Sequence, residues 1–348
     1  MAGTTVNDIT KLNPITVQSA IVPQAAQEIT AALKAFPGPV SIGGGRYSMG
    51  GQTATEKSLH LDMRGFNKIL NLDVANNKIT VQSGVRWRDI QEAIDKHGLS
   101  VKIMQSYSNF TVGGSLSVNV HGRYIGEGPL IRSVESFKII LADGREVLAS
   151  PKENADIYYA AIGGYGGIGV ITEVTLHLAQ NERLLRQTSN LPVSEYRDYF
   201  LKNIRDNKAV VLHNGDLYPP DYSKMRLESW VRTDRPLTIT DRLIPRDQNY
   251  WLLPSAISSL STIPFGSELR QKVIEPLVRE KEVVVWRNYE ASYDVAQLEP
   301  KTPRLLYTYV LQEYFVPVAQ LDSFIPKMRD VLRANKVNVV NVSIRHAL

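Results

Sequence analysis

The sequence predicts an α+β protein of two domains. Strand-like runs outnumber helical ones and follow no regular βαβ order. At 348 residues the chain exceeds what one core usually serves. Its texture changes beyond Gln180, where glycine becomes rare and tyrosine, proline and arginine increase. This places a boundary near Asn181–Arg186 and divides the chain into residues 1–180 and 181–348.

Ala25–Phe36 reads as a helix with Ile29, Leu33 and Phe36 on one face, broken by Pro37-Gly38-Pro39. Val40–Ile42 is a short strand running into glycines. Ser58–Met63 and Lys68–Leu72 read as strands, and Lys78–Ser83 alternates with period two after a turn at Asn76-Asn77. Arg88–Lys96 is helical, with Ile90 and Ile94 inward and Gly98 as its left-handed stop. Ser136–Leu148 is a hairpin turning at Asp143-Gly144. Asn154–Ile162 is a short helix, and Val170–Leu178 is a strand with every second residue apolar or Thr172. In the second half, Arg304–Pro317 and Val337–Ile344 read as strands and Ala319–Ala334 as a helix. Trp251–Phe265 is apolar and rich in serine and proline. It reads equally as a mobile lid, a membrane-surface contact or a loop packed on the core.

Composition narrows the function classes. A net charge of +5 over 40 basic and 35 acidic residues is too small and too mixed for a nucleic-acid binder, and mildly favours an anionic ligand. With no cysteine, disulfides, thiolate metal sites and cysteinyl-linked cofactors are excluded. The six histidines show no pair at ligand spacing, so no metal is expected. No basic and apolar leader opens the chain, and no apolar run is long enough to span a bilayer. A cytoplasmic location is the resulting expectation.

Three segments concentrate glycine where elements end: Gly43–Gln52 (GGGRYSMGGQ), Thr111–Ser115 (TVGGS) and Gly163–Gly169 (GGYGGIG). Glycine lets a ligand touch the main chain, and successive amides in such loops can converge on an anion. Any one of these loops can be a plain tight turn; three in one domain point to a phosphate-bearing ligand. Gly164–Gly169 matches the dinucleotide pattern G-x-G-x-x-G to the letter. That pattern binds pyrophosphate only between a strand and a following helix. Here a helix precedes it and a strand follows, so an NAD site at this motif is rejected.

Together these segments resemble a known family. They are PVSIGGGRYS from Pro39, LHLDMRGFNKI from Leu59, VQSGVRWRDI from Val81, FTVGGSLSVNVHG from Phe110, LADGREV from Leu141 and AIGGYGGIGVIT from Ala161. Their order resembles the PCMH-type FAD-binding domain of the vanillyl-alcohol oxidase family. Aldonolactone oxidases, alditol oxidase and decaprenylphosphoryl-ribose oxidase share that domain. The resemblance covers about Ile21–Leu178. It implies an FAD-binding domain of two subdomains, followed by an α+β substrate domain with an antiparallel sheet. Members are usually longer, so it also implies either a piece of a longer protein or an unusually short one.

The resemblance assigns cofactor contacts by position. Ile42, Gly43, Gly44, Gly45, Arg46, Tyr47, Ser48 and Met49 would wrap the FAD pyrophosphate. Ser106, Tyr107, Thr111, Gly113, Gly114, Ser117, Val118 and Val120 would lie along the flavin. Tyr165, Gly166 and Ile171 would face the adenosine side or the pyrophosphate. Many members carry a histidine after the glycine run, bonded covalently to the flavin. This chain has Arg46, which cannot serve as that nucleophile. With no cysteine either, the expected FAD is dissociable; micromolar binding needs about 8 kcal/mol.

His121 would sit near the isoalloxazine and orient a substrate hydroxyl or stabilise reduced flavin; the plain alternative is a histidine fixed by backbone bonds. In the second domain the LQEYFVP run resembles the family's active-site strand, with Tyr309, Leu311, Glu313 and Phe315 on one face. Glu313, if buried, would have a raised pKa and serve as a base; a salt bridge at a strand edge is its alternative. Arg345 and His346 are further candidates. The implied reaction is oxidation of a CH–OH group of a sugar, polyol or lactone, with oxygen, a quinone or a protein as acceptor. A flavin-binding protein without turnover and a membrane-surface or partner-binding module are the alternatives.

Overall fold

The computed structural model describes residues 3–246, 248, 282–294, 308, 310–337, 339 and 341–347. They form two compact units. The first takes the described residues of Met1–His121, Pro129–Asn181 and Pro303–Leu311. The second takes those of Gly122–Gly128, Glu182–Thr302 and Gln312–Leu348.

The first unit begins with an antiparallel pair, β1 (Thr4–Val6) and β2 (Ile15–Val17). A parallel sheet follows, built from β3 (Ser19–Ile21), β4 (Val40–Gly43) and β5 (Leu59–Asp62) in the order β3-β5-β4. Parallel strands need a long crossover, and helix α1 (Ala26–Ala35) supplies it between β3 and β4. Ile29 on α1 is fully buried. Leu33 and Phe36 join it against Leu59, Leu61, Met63 and Phe66. The register pairs Gly43 with Asp62, so the parallel strands deliver both residues side by side at their C-terminal ends.

A second sheet of the same unit is antiparallel. Its strands are β6 (Ile69–Asp73), β7 (Lys78–Gln82), β8 (Leu99–Val101), β9 (Val134–Leu141), β10 (Glu146–Ala149) and β11 (Gly169–Gln180). The order is β10-β9-β11-β7-β6, with β8 on the far end of β11. Along β11, Val170, Thr172, Val174, Leu176 and Leu178 are buried, as the period-two pattern predicts. Each large apolar side chain so buried contributes about 1.5–3 kcal/mol. The β9–β10 hairpin turns where Gly144 adopts φ +84 and Asp143 accepts the Arg145 amide at 2.9 Å. Helices α2 (Trp87–Asp95), α3 (Val112–Ser117) and α4 (Ala155–Ala161) complete the unit.

The second unit is a five-stranded antiparallel sheet in the order β15-β12-β14-β13-β16: β12 (Arg183–Pro192), β13 (Val210–Leu217), β14 (Lys224–Arg232), β15 (Val284–Trp286) and β16 (Val342–Ile344). Its helices are α5 (Val193–Asn203), α6 (Arg287–Glu290) and α7 (Leu321–Ala334). Tyr196 and Phe200 of α5 and Ile325 of α7 pack with Leu217, Met225 and Leu227 in one core. No helix among the described residues is long and apolar enough to cross a membrane.

Three expectations for the second half are corrected or left aside. Trp251–Phe265, 304–307 and Tyr309 lie outside the described residues. Residues 310–317 are not a strand: Leu311 is 72% and Phe315 77% exposed. Alternation alone does not make a strand; a neighbouring edge must take its hydrogen bonds, and no described strand pairs with this run. Among the described residues the last strand is Val342–Ile344, the three residues that pair with β13.

Candidate functional site

The three glycine segments meet in the first unit. The Gly45 amide donates to Thr111 Oγ1 at 3.3 Å. A Cβ on Gly44 would lie 2.4 Å from the same oxygen, so the first and second segments touch with no room for a side chain. The third segment rests on α3 of the second: the Tyr165 amide donates to the Ser117 carbonyl, and that of Gly163 to Leu116, both at 2.9 Å. A Cβ on Gly166 would be 3.3 Å from Ile42 Cδ1, which closes the circuit back to β4. Gly163 and Gly166 hold φ +82 and +77, and Tyr165 φ +52. As the sequence predicts, α4 precedes this third segment and β11 follows it.

The buried interior holds the second segment rigid. Trp87 Nε1 donates to Gln105 Oε1 and to Ser115 Oγ, each at 3.0 Å, and Ser115 Oγ donates to the Thr111 carbonyl at 2.9 Å. Gly113 sends its amide to Ser83 at 2.7 Å and leaves no space for a Cβ there, so it serves packing. The Val120 amide and carbonyl are likewise engaged, with Ser115 and Leu130. Ile171 is half-buried on β11, paired with Ile139. Tyr107 and His121 are half-buried.

This surface keeps polar groups that the protein itself does not take. Among the described residues, Arg46, Ser48 and Met49 spend no amide on another part of the protein. Ser106 Oγ and Arg46 Nε are buried without a protein partner. Val118 and Tyr165 are 40% and 66% exposed, and Tyr165 is tied to α3 through its amide on the Ser117 carbonyl.

The charges follow from the β4–β5 register. Asp62 accepts from Arg46 Nη2 at 3.0 Å and from Arg64 Nη2 at 2.5 Å. Burial pushes the Asp62 carboxyl up, but hydrogen bonds and charge from Arg64 and Arg46 outweigh it and hold it below its ordinary range. One carboxylate against two guanidiniums leaves a net positive charge beside the first glycine segment. His60, fully buried on β5, is pushed down to about 4 by burial and then by Arg46, and is neutral at pH 7.

In the second unit the sheet has one apolar and one polar face. Paired residues point the same way, so three rows lie opposite the helix-covered core: Asn190–Arg226–Asp216, Thr188–Glu228–Asn214 and Arg186–Trp230–Leu212. Arg226, Asn214 and Trp230 are buried, and Trp230 Nε1 has no protein partner. Residues Gly122–Gly128 belong to this unit: Arg123 accepts the His213 amide at 2.9 Å, and Ile125 donates to Val211 at 3.0 Å. Arg123 Nη2 meets Glu290 Oε1 at 2.8 Å, and the Tyr293 hydroxyl donates to Glu290 Oε2 at 3.3 Å. Burial, and then the charge of Glu228, push the Glu290 carboxyl up to about 7 against the pull of Arg123.

Glu313 is exposed, so the burial on which its role as a base depended is absent. Arg345 is exposed just past β16. The His346 ring lies 4.8 Å from that of Phe200, on the helix-covered side. Arg226, Glu228, Arg123 and Glu290 were not picked out in the sequence. The alternation Met225-Arg226-Leu227-Glu228 carries a signal for the first two. The Arg123–Glu290 pair spans 167 residues and carries none.

Comparison with known proteins agrees with the geometry of the first unit. Residues 17–150 match the family model of an FAD binding domain. A 172-residue stretch is 29% identical to mouse L-gulonolactone oxidase, covering 49% of this chain and 39% of that protein. Rice L-galactono-1,4-lactone dehydrogenase 1 is 29% identical over 144 residues, 41% of this chain and 25% of its own length. The putative D-arabinono-1,4-lactone oxidase of Neurospora crassa is 31% identical over 115 residues, 33% of this chain and 21% of its own. The chain thus spans well under half the length of these relatives. Cholesterol oxidase from Brevibacterium sterolicum shares the fold, with TM-score 0.71 at 15% identity over 99% of this chain and 72% of that one. Residues 17–150 are therefore an FAD-binding domain of the PCMH type, and FAD is its cofactor.

Proposed function

We propose that the chain is the FAD-binding and substrate-binding part of an oxidoreductase that oxidises a CH–OH group of a sugar lactone, sugar or polyol. The single observation that carries this is the meeting of three glycine segments, 43–52, 111–115 and 163–169, at one surface of an FAD-binding domain. Main-chain amides of Arg46, Ser48 and Met49 would hold the diphosphate, with the net positive charge of Arg46, Arg64 and Asp62 beside them. Thr111, Gly114, Ser117, Val118, Val120 and His121 would line the ring. Tyr165, Gly166 and Ile171 would complete the cradle. FAD, when bound, accepts a hydride from carbon. Arg46 offers no nucleophile for a covalent link, so the cofactor is dissociable.

Substrate recognition falls to the second unit, residues 181–348 together with the 122–128 segment. Its polar sheet face, with Arg226, Glu228, Asn214 and Asp216, offers donors and acceptors for several hydroxyl groups. An alcohol of the sterol kind, with one hydroxyl, would engage few of these groups. This favours a hydroxylated substrate over that of the structurally similar cholesterol oxidase.

Two steps test the proposal. Acid precipitation of the purified yellow protein leaves the colour in the supernatant. Anaerobic addition of aldonolactones and polyols then bleaches the visible flavin band, while a sterol does not. Flavin that no such alcohol bleaches would leave a binding protein without turnover, and bleaching by the sterol alone would reverse the substrate class.

A further inference from the structure

We propose that Asp8 is a positioning residue for the first glycine segment: with the Ile9 amide, it clasps 43–51 into the shape that receives a diphosphate. The inference rests on the FAD reading above.

Asp8 lies outside the segments that match the FAD-binding domain, yet it is only 4% exposed. Its carboxylate is filled by donors: the Thr10 amide at 2.9 Å, Thr10 Oγ1 at 2.5 Å, Asn13 Nδ2 at 2.8 Å and the Gly51 amide at 3.1 Å. The last bond ties the N-terminal turn to the far end of the glycine segment. The neighbouring Ile9 amide ties it to the middle, donating to the Arg46 carbonyl at 2.9 Å. Behind the clasp, Val6 and Val17 pack on Ala54, and the Lys57 amide donates to the Thr16 carbonyl at 3.2 Å. The N-terminal turn and hairpin therefore hold the segment at Arg46 and Gly51 and pack on the residues that follow it.

The Ile9 bond bears directly on the cradle. Arg46 sits at φ +61, a region a non-glycine residue keeps only when its surroundings fix it. In a trans peptide the carbonyl and the next amide point in opposite directions. Holding the Arg46 carbonyl toward Ile9 fixes the peptide that leads from Arg46 into the turn carrying the Ser48 and Met49 amides. Without the clasp, Arg46 would relax toward ordinary backbone angles and the amides around it would lose their common aim. A buried carboxylate close to an anion site would ordinarily repel the anion; four donors on Asp8 blunt that effect.

The test uses the full chain with Asp8→Ala, Asp8→Asn and Ile9→Pro. Ile9 follows Asp8 in a turn closed by the Lys11 amide on the Asp8 carbonyl, a position that suits proline. Ile9→Pro therefore removes one donor without unmaking the Asp8 cluster. FAD affinity is read by flavin fluorescence, and the apoprotein melting temperature is followed separately. The clasp predicts that Asp8→Ala and Ile9→Pro each weaken FAD binding about tenfold or more, the size of one lost hydrogen bond. Asp8→Asn, which keeps an acceptor, recovers part of it. Ile9→Pro weakens binding with the apoprotein melting temperature unchanged, which separates positioning from stability if Asp8→Ala fails to fold. Unchanged FAD affinity in both variants, with only the melting temperature lowered, would overturn the clasp while leaving the FAD reading intact. A wild-type chain that binds no FAD would overturn both.

Discussion

Arg46 and Asp62 meet at 3.0 Å because β4 and β5 run parallel in a register that pairs Gly43 with Asp62. The ion pair is therefore a product of the sheet, and it sets the charge of the first glycine segment. Asp62→Asn removes the carboxylate that fixes both Arg46 and Arg64. We expect a loss of about 1–2 kcal/mol in stability at pH 7, reduced from the buried limit because the Arg64 side chain is 46% exposed. The Asp62 pKa is depressed in the fold, so its contribution is present above the ordinary carboxylate range and is lost as pH falls through the folded value. Urea denaturation at pH 7 and pH 3 should show the gap between wild type and variant closing in acid. A gap independent of pH would mean the pair contributes nothing.

The contact between the first and second segments predicts a paired effect. Gly44→Ala places a Cβ 2.4 Å from Thr111 Oγ1 and must separate the two segments. FAD binding should weaken by at least about tenfold. Adding Thr111→Ala removes the obstructing oxygen and should restore part of that loss, even though the Gly45 amide loses its acceptor. Additive losses in the double variant would show that the segments do not act together.

Glu290 predicts a pH dependence in the second unit. Burial first, and then Glu228, raise its pKa from 4.5 to about 7, while Arg123 and Tyr293 also face it and Arg123 opposes the rise. A carboxyl raised by folding stabilises fully below its unfolded value, and that contribution disappears as pH rises to the folded value. Between pH 4.5 and 7 the loss is about 3 kcal/mol as an upper figure. Glu290→Gln should be free of this slope when unfolding is followed by denaturant titration. Glu290→Ala should instead cost about 3–5 kcal/mol at pH 7, because Arg123 is left buried without its carboxylate. Parallel pH profiles for wild type and Glu290→Gln would remove Glu290 as the titrating group.

His213 acts in the opposite sense. It is fully buried, with Nδ1 at 2.8 Å from Ser229 Oγ and Nε2 at 3.2 Å from the Tyr196 hydroxyl. Burial, and then His346, push it down from 6.5 to about 4. Its contribution is present above pH 6.5 and is lost as pH falls to about 4, by about 3 kcal/mol. The two windows overlap, so wild-type curves alone would cancel. The difference between wild type and His213→Gln isolates this group, and should grow smaller on acidification below pH 6.5. A constant difference would mean His213 is not buried in neutral form.

Much of the first unit could be read from the sequence because its signals are local. The alternation Val170–Leu178, the Asp143-Gly144 turn and the break after Phe36 each act within a few residues. The three glycine segments were legible as candidates, but their meeting depends on contacts such as Gly45 with Thr111, 66 residues apart. The second unit was harder. Leu311, Glu313 and Phe315 alternate like a strand, yet no described edge takes them. Arg226 and Glu228 alternate just as plainly and do lie on a paired strand. Periodicity reports which face a residue would take, and only pairing decides whether the strand exists. Arg123 with Glu290, and Asp8 with Gly51, join distant parts of the chain and leave no local trace.

The most direct measurement is titration of the apoprotein with FAD and with riboflavin, followed by flavin fluorescence. Both carry the tricyclic ring; only FAD carries the diphosphate. If backbone amides of the three glycine segments grip that diphosphate, FAD binds at least about a hundredfold more tightly than riboflavin, a difference of about 3 kcal/mol. Equal binding of the two, or no binding of FAD, would contradict it.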